Sequence, residues 1–398
     1  MNVKFSAKCV AVIAAGAMSM SLAACSGGSM DGSSSSNGSA ANGDTITLGS
    51  ITTNSGTAAA YGEAEVAGFK LAVDEINAKG GINGKKVKLE SMDDKGDATE
   101  ASNACNKLAG DNSVLGVVGP TISSTTAAVA PLADQSKVPA IAPAATSDSI
   151  ETGGYMFRTC FKDSYQGEIA AKFAAETLKV KKVAVLYGTG DPYSSGVGKA
   201  FADAAKKAGL EVVAEENSSS ADDTEYSSQL QKIQAAGAEF LYAPYYYSVA
   251  GPYIIPQARS VGYDGYVMGP DGYDGLKMTD DKSLYNNVLY TTHYSPDDTS
   301  NAKVQDFIKS YKKVNKNADP NTFTALAYDS VYMMAQAIEK AGKNATRESV
   351  RNAISGMSFE GVTGNFTLDK KGSPKKSVIV LEIKDGKPQY KTTIQPSK

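Results

Sequence analysis

Histidine is nearly absent from this chain of 398 residues, in which His293 stands alone. A Ser/His/Asp triad or a histidine-based metal centre therefore has little to be built from. Charge of one sign is lacking too, with 40 Lys+Arg against 43 Asp+Glu and a net charge of −3. No basic excess is left for nucleic acid, and no such partner is expected. Cysteine is scarce: the four are Cys9, Cys25, Cys105 and Cys160. Gly188-Thr-Gly190 and Gly196-Val-Gly198 lack both the Lys-Ser/Thr of a phosphate loop and the spacing of a dinucleotide fingerprint. Asp93-Asp94 has no further oxygen ligands near it in sequence and is expected to be solvated. No cofactor, metal or catalytic residue is expected.

The N-terminus reads as an export address. Lys4 and Lys8 precede an apolar or small stretch, Cys9 to Met20, too short to span a bilayer as a mature helix. It runs into Leu22-Ala23-Ala24-Cys25, which looks like a lipobox: residues 1–24 as a signal peptide and Cys25 as the lipidated new N-terminus. Ser26 to Gly43 is rich in Ser, Gly, Asn and Ala and too polar to order itself, so 25–43 is expected to be a tether. Its root-mean-square reach is about 25 Å. No later stretch is long and apolar enough to cross a membrane, so the body is expected to be soluble and held at the membrane through Cys25. Cys9 leaves with the signal; Cys105 and Cys160 are left either to pair or to remain buried thiols.

From Asp44 onward the length suggests two domains. Short β-rich apolar runs alternate with helical patterns, as in parallel sheets covered on both faces. Strands are predicted at Thr45–Ile51, Lys86–Glu90, Val114–Val118, Pro139–Ala142 and Tyr155–Cys160, with helices over Tyr61–Ala78 and Thr99–Ala109. The pattern restarts with strands at Lys182–Tyr187, Glu211–Val213, Phe240–Tyr242 and Tyr266–Met268, separated by helices at Gly196–Ala208, Tyr226–Ala236 and Val249–Val261. The expected fold class is α/β, with two doubly wound parallel-sheet lobes. Ligands of such sheets sit beyond the carboxyl ends of the strands, so the cleft between the lobes is the expected site.

The motifs along Asp44 to Lys398 resemble the type I periplasmic binding proteins, and most closely those for the branched-chain amino acids Leu, Ile and Val. The resemblance rests on Tyr61-Gly62, on Ala72 to Ile82 (AVDEINAKGGI) and on Asp93-Asp94. It continues in Gly119-Pro120 with Ser123-Ser124-Thr125, in Pro143-Ala-Ala-Thr146, in Gln166-Gly167 and in Met268-Gly-Pro-Asp-Gly272. It implies three crossover hinges, near Lys162, Thr292 and Ser373, so that each lobe is discontinuous: 44–162 with 293–373, and 163–292 with 374–398. His293 then falls at the second crossover, where a hinge or surface position is expected. The resemblance also implies the partners, an amino-acid ligand and an ABC permease with its ATPase subunits, and a monomeric protein.

A free amino acid is a zwitterion, and burying it demands donors for its carboxylate and acceptors for its ammonium. Ser123 to Thr126 follows a strand and opens a helix, which offers hydroxyls and free N–H groups, though a Ser/Thr cluster there also serves as an N-cap. Pro143 to Thr146 offers donors and a carbonyl, or merely caps its own turn. The resemblance places the ligand's two charged ends among Ser123, Ala144, Ala145 and Thr146. Asp271 sits in Pro-Asp-Gly, a common turn; the family carries an acid there, usually glutamate, as counter-charge to the ammonium. Tyrosine supplies large rigid faces at low entropic cost: Tyr61, Tyr193 and Tyr246 match the family's aromatic walls, and Tyr245 to Tyr247 as a group are expected to line the cleft. A sensor of the same fold, or a binder of an amide, urea or aromatic acid, is the alternative.

Overall fold

The computed structural model describes residues 43–150, 152–297 and 301–396. The leader, Cys25 and nearly all of the tether lie outside these.

The first sheet comprises β1 (Thr45–Thr52), β2 (Lys86–Asp93), β3 (Val114–Val118), β4 (Ala140–Ala142) and β5 (Met156–Arg158), all parallel in the order β2-β1-β3-β4-β5. Every residue of β3 and all but the first of β1 are buried, because helices cover both faces of the sheet. Those helices include α1 (Ala59–Ala78), α2 (Ala98–Gly110) and α3 (Ser123–Ser136). Asp97 caps α2 by accepting from the amides of Thr99 and Glu100.

Residues 159–162 then carry the chain to a second sheet. Here α4 (Asp163–Lys172) continues through a π-helical turn, Phe173–Leu178, into β6 (Lys182–Gly188), α5 (Pro192–Lys207), β7 (Glu211–Ser218), α6 (Ser227–Ala235) and β8 (Phe240–Tyr242). Next come α7 (Tyr247–Val249), a π turn at Ala250–Ile254, α8 (Ile255–Ser260), β9 (Tyr266–Gly269) and β10 (Val288–Thr292). After β10 the chain returns to the first sheet with α9 (Ala302–Val314), α10 (Thr322–Ala341), α11 (Arg347–Ile354) and a hairpin of β11 (Ser358–Gly361) and β12 (Gly364–Thr367). It crosses once more to end in β13 (Val378–Lys384) and β14 (Lys387–Ile394). The second sheet thus reads β14-β13-β10-β9-β8-β6-β7, in which β13 alone runs against the other strands.

The C-terminal helices complete the first lobe. Phe69, Ala72 and Ile76 of α1 join Val331, Met334 and Ile338 of α10 and Leu115 of β3 in one buried cluster. Helix α1 approaches α10 so closely that a Cβ on Gly68 would collide with the carbonyl of Thr324, which is why the smallest residue stands there. On the opposite face of the sheet, Leu108, Val117, Val129 and Ala142 form a second core.

The predicted strands all form, several of them longer than expected: β2 extends to Asp93 and β7 to Ser218. Burial overturns one expectation and narrows another. Asp94 is fully buried rather than solvated, accepting from the Thr53 hydroxyl at 2.6 Å. His293, expected at a hinge or on the surface, is 2% exposed and directly follows β10, so the surface alternative falls while the place at the second crossing stays. Cys105 and Cys160 are both buried free thiols. Burial pushes them up to about 11 and about 12 respectively, so neither is a ready thiolate.

Candidate functional site

The pocket forms where the carboxyl ends of the two sheets face each other. On the first-lobe side, β3 is followed by Gly119, with φ +113°, where any Cβ would run into the carbonyl of Ile51. Only glycine fits so close a turn. The turn aims Thr121, Ile122 and Ser123 at the pocket. Ser123 is the first residue of α3; its N-cap is Ile122, which provides no side-chain cap, and the Ser123 hydroxyl instead accepts from the amide of Ser147 at 3.2 Å. The first-turn N–H groups of α3 have no acceptor within the helix and face an anion-favouring end of its dipole. The Thr121 hydroxyl is fully engaged, donating to Glu65 at 2.6 Å and accepting from the Thr53 amide at 3.0 Å. Burial pushes the Glu65 carboxyl well above the ordinary range.

The second-lobe wall is built around Asp271, in the turn after β9. Its carboxylate is 2% exposed. Oδ1 accepts from the Tyr193 hydroxyl at 2.9 Å and from Gln166 Nε2 at 3.1 Å, and Oδ2 faces His293 Nε2 at 3.2 Å. Gln166 is itself fixed, its Oε1 accepting from the Asp271 amide and the Thr291 hydroxyl. The Gly272 amide donates to the Tyr193 hydroxyl at 2.9 Å, so that oxygen both accepts and donates.

Aromatic rings close the space between the walls. Tyr61 stacks on Phe323 with centroids 3.9 Å apart, and Tyr193 stacks on Tyr246 at 5.3 Å. The Tyr61 hydroxyl reaches across to donate to the Gly272 carbonyl at 2.5 Å and accepts from the Tyr247 amide at 3.0 Å. Ser248 adds a second bridge, donating to the Thr57 carbonyl at 2.8 Å. Burial raises the phenols of Tyr61, Tyr193 and Tyr246 well above their ordinary range, so they act as neutral hydrogen-bonding rings. The space left between them is narrow, about 20 Å³, and is lined by Tyr61, Ser123, Ala144, Tyr193, Asp271 and Phe323 among others.

Of the sequence-predicted residues, Tyr61, Ser123, Ala144, Tyr193, Tyr246 and Asp271 come together on this pocket. Ala145 and Thr146 are buried behind it with their carbonyls already engaged: Ala145 by Arg158 at 3.1 Å, Thr146 by the amide of Asp163 at 3.0 Å. Tyr245 turns away altogether, bonding Ser218 at 2.8 Å and packing edge-on against Tyr226 in the second-lobe core. The chain turns just after β8, the Tyr245 amide donating to the Ala243 carbonyl at 2.9 Å, so Tyr245 and Tyr246 need not share a face. Sequence reasoning missed Thr121, Ile122, Gly272 and Phe323 as lining residues. It also missed His293 as a partner of Asp271. Gln166 was visible only as part of a motif. Among the described residues, no group of three or more His, Cys, Asp or Glu side chains is placed to hold a metal ion.

A pocket at the strand ends of two parallel sheets, with a carboxylate on one wall and an open helix N-terminus on the other, is the architecture of a two-lobed solute-binding protein. The periplasmic binding protein family model matches residues 45–388, and the chain belongs to that family. A leucine-, isoleucine-, valine-, threonine- and alanine-binding protein of Pseudomonas aeruginosa is 33% identical over 336 residues, covering 83% of this chain and 87% of that relative. Among solved structures, the branched-chain amino acid transporter substrate-binding protein LivJ of Streptococcus pneumoniae, in complex with isoleucine, is 34% identical. Its TM-score is 0.81, and the match covers 88% of this chain and 100% of that one. The leucine-binding protein LivK of Thermotoga maritima follows at 29% identity and TM-score 0.79, covering 88% of this chain and 99% of that one.

Proposed function

We propose that this protein is the extracytoplasmic substrate-binding component of an ABC importer, capturing a branched-chain amino acid between its lobes and delivering it to a membrane permease. The observation that carries the reading is the pairing of opposite demands in one small pocket. The N-terminus of α3 and Ser123 suit the ligand's carboxylate, Asp271 suits its ammonium, and Ile122, Ala144, Phe323 and the tyrosines leave an apolar remainder for an aliphatic side chain. The named relatives, which bind leucine, isoleucine and valine, support it. An aromatic acid or urea would leave the buried Asp271 carboxylate without a cation, which is costly. The protein performs no chemistry on its ligand. Residues 44–162 with 293–373, and 163–292 with 374–398, act as two rigid bodies about the three crossings, and a ligand touching both stabilises the closed form. The permease, and through it the ATPase subunits, meets that closed form.

Calorimetry on protein unfolded and refolded to shed carried-over ligand tests the reading. Leucine, isoleucine or valine is expected to bind one to one at micromolar affinity or tighter, roughly −8 kcal/mol, and benzoate and urea to give no heat. Heat from benzoate and none from any aliphatic amino acid would overturn it.

The anchor belongs to the same reading, since a tethered clamp stays beside the permease. Cys25 carries the lipid after removal of residues 1–24, and 25–43 is the tether. Cys25→Ser is expected to move the protein from the membrane fraction to the soluble one without changing its affinity. Retention of that variant in the membrane would refute the anchor.

A further inference from the structure

Asp271 needs more than a charge to serve as an anchor; its carboxylate must point the right way. A carboxylate offers about four acceptor positions. Tyr193 and Gln166 take two on Oδ1, and His293 takes one on Oδ2, so the position still open lies on the oxygen that His293 orients. The ring is in turn held on its other faces. It stacks on Phe161 of the first crossing, with centroids 3.6 Å apart and planes within 21°. The His293 amide donates to the Thr322 hydroxyl at 3.3 Å, at the start of α10 and beside the pocket residue Phe323. One residue thus touches the second-lobe carboxylate, the first crossing and a first-lobe helix.

The charge state of the ring decides what it can do there. Burial, reinforced by the nearby Lys376 cation, lowers His293 to about 4, so at neutral pH it is uncharged. A neutral ring has a single N–H, and because Asp271 accepts, that proton is on Nε2; Nδ1 has no hydrogen-bond partner among the described residues. An imidazolium would cancel the negative charge that an ammonium ligand needs. The neutral ring steers the carboxylate and leaves its charge unspent.

We propose that His293 is a positioning residue for ligand capture, aiming the Asp271 carboxylate at the ligand's ammonium and tying that carboxylate to the first two inter-lobe crossings. This rests on the amino-acid reading of the pocket.

His293 is the only histidine, so tag-free protein gives a single imidazole in nitrogen-15 NMR. Saturating L-isoleucine is expected to shift its Nε2 resonance, because the oxygen it bonds gains a cationic partner. In calorimetry, His293→Ala is expected to weaken isoleucine binding roughly tenfold or more, the usual effect of losing a hydrogen bond to a charged group. His293→Gln, which returns an N–H at a similar reach, is expected to recover most of that loss. Three results would each overturn the proposal while wild type still binds isoleucine: an unmoved Nε2 resonance, a His293→Ala affinity within twofold of wild type, or a His293→Gln variant as weak as His293→Ala. If wild-type protein gives no heat with isoleucine, the amino-acid reading falls and this proposal falls with it. The NMR arm uses wild-type protein and stands even if His293→Ala does not fold.

Discussion

Asp271→Asn is expected to weaken leucine or isoleucine binding by roughly 2 to 5 kcal/mol, a loss of about thirtyfold or more, because it leaves a buried ammonium with no opposite charge. The new amide also presents donors where Tyr193, Gln166 and His293 already donate, so one oxygen position becomes a clash of like groups. Stability should change far less than affinity, since the variant removes a buried negative charge as well as its hydrogen bonds. Calorimetry paired with urea unfolding separates the two. Wild-type affinity in Asp271→Asn would return the residue to a turn role in Pro-Asp-Gly.

Arg158→Met is expected to destabilise the fold by roughly 3 kcal/mol or more, because it strands several buried carbonyls at once. The guanidinium, 1% exposed at the end of β5, donates to the carbonyls of Ala145, Ser147 and Ile150 at 3.1, 3.0 and 3.3 Å. No acid among the described residues forms an ion pair with it, so its work is to hold the loop that presents Ala144 to the pocket. A drop in the urea midpoint with a parallel loss of isoleucine affinity is the expected result. An unchanged midpoint would show that the loop holds its shape without the arginine.

The comparison of sequence with structure divides along the range of the interactions. Val114–Val118 was legible as a strand because five consecutive apolar or small residues bounded by turn signals mean the same thing in any context. The α3 N-terminus was legible for a similar reason, although its cap turned out to be Ile122. Phe323 left no comparable mark, for it is one apolar residue in a long apolar helix and acquires its role by stacking on Tyr61 from the far end of the chain. The burial of Asp94 and of His293 was not legible because polar residues are mostly exposed, and only the tertiary structure supplies the Thr53 hydroxyl or the Asp271 carboxylate that makes their burial tolerable. The discontinuous division of the lobes carries no periodic signal at all and came from resemblance.

The double return of the chain bears on when the molecule can fold at all. The first lobe's core needs α10, and the second sheet needs β13 beside β10, so a growing polypeptide lacks the first core until residue 341 is made and the second sheet until residue 384. Non-local pairing of this kind postpones stable structure until nearly all of the sequence is available. A translating ribosome therefore releases a chain whose two lobes cannot lock before its last helices and strands emerge.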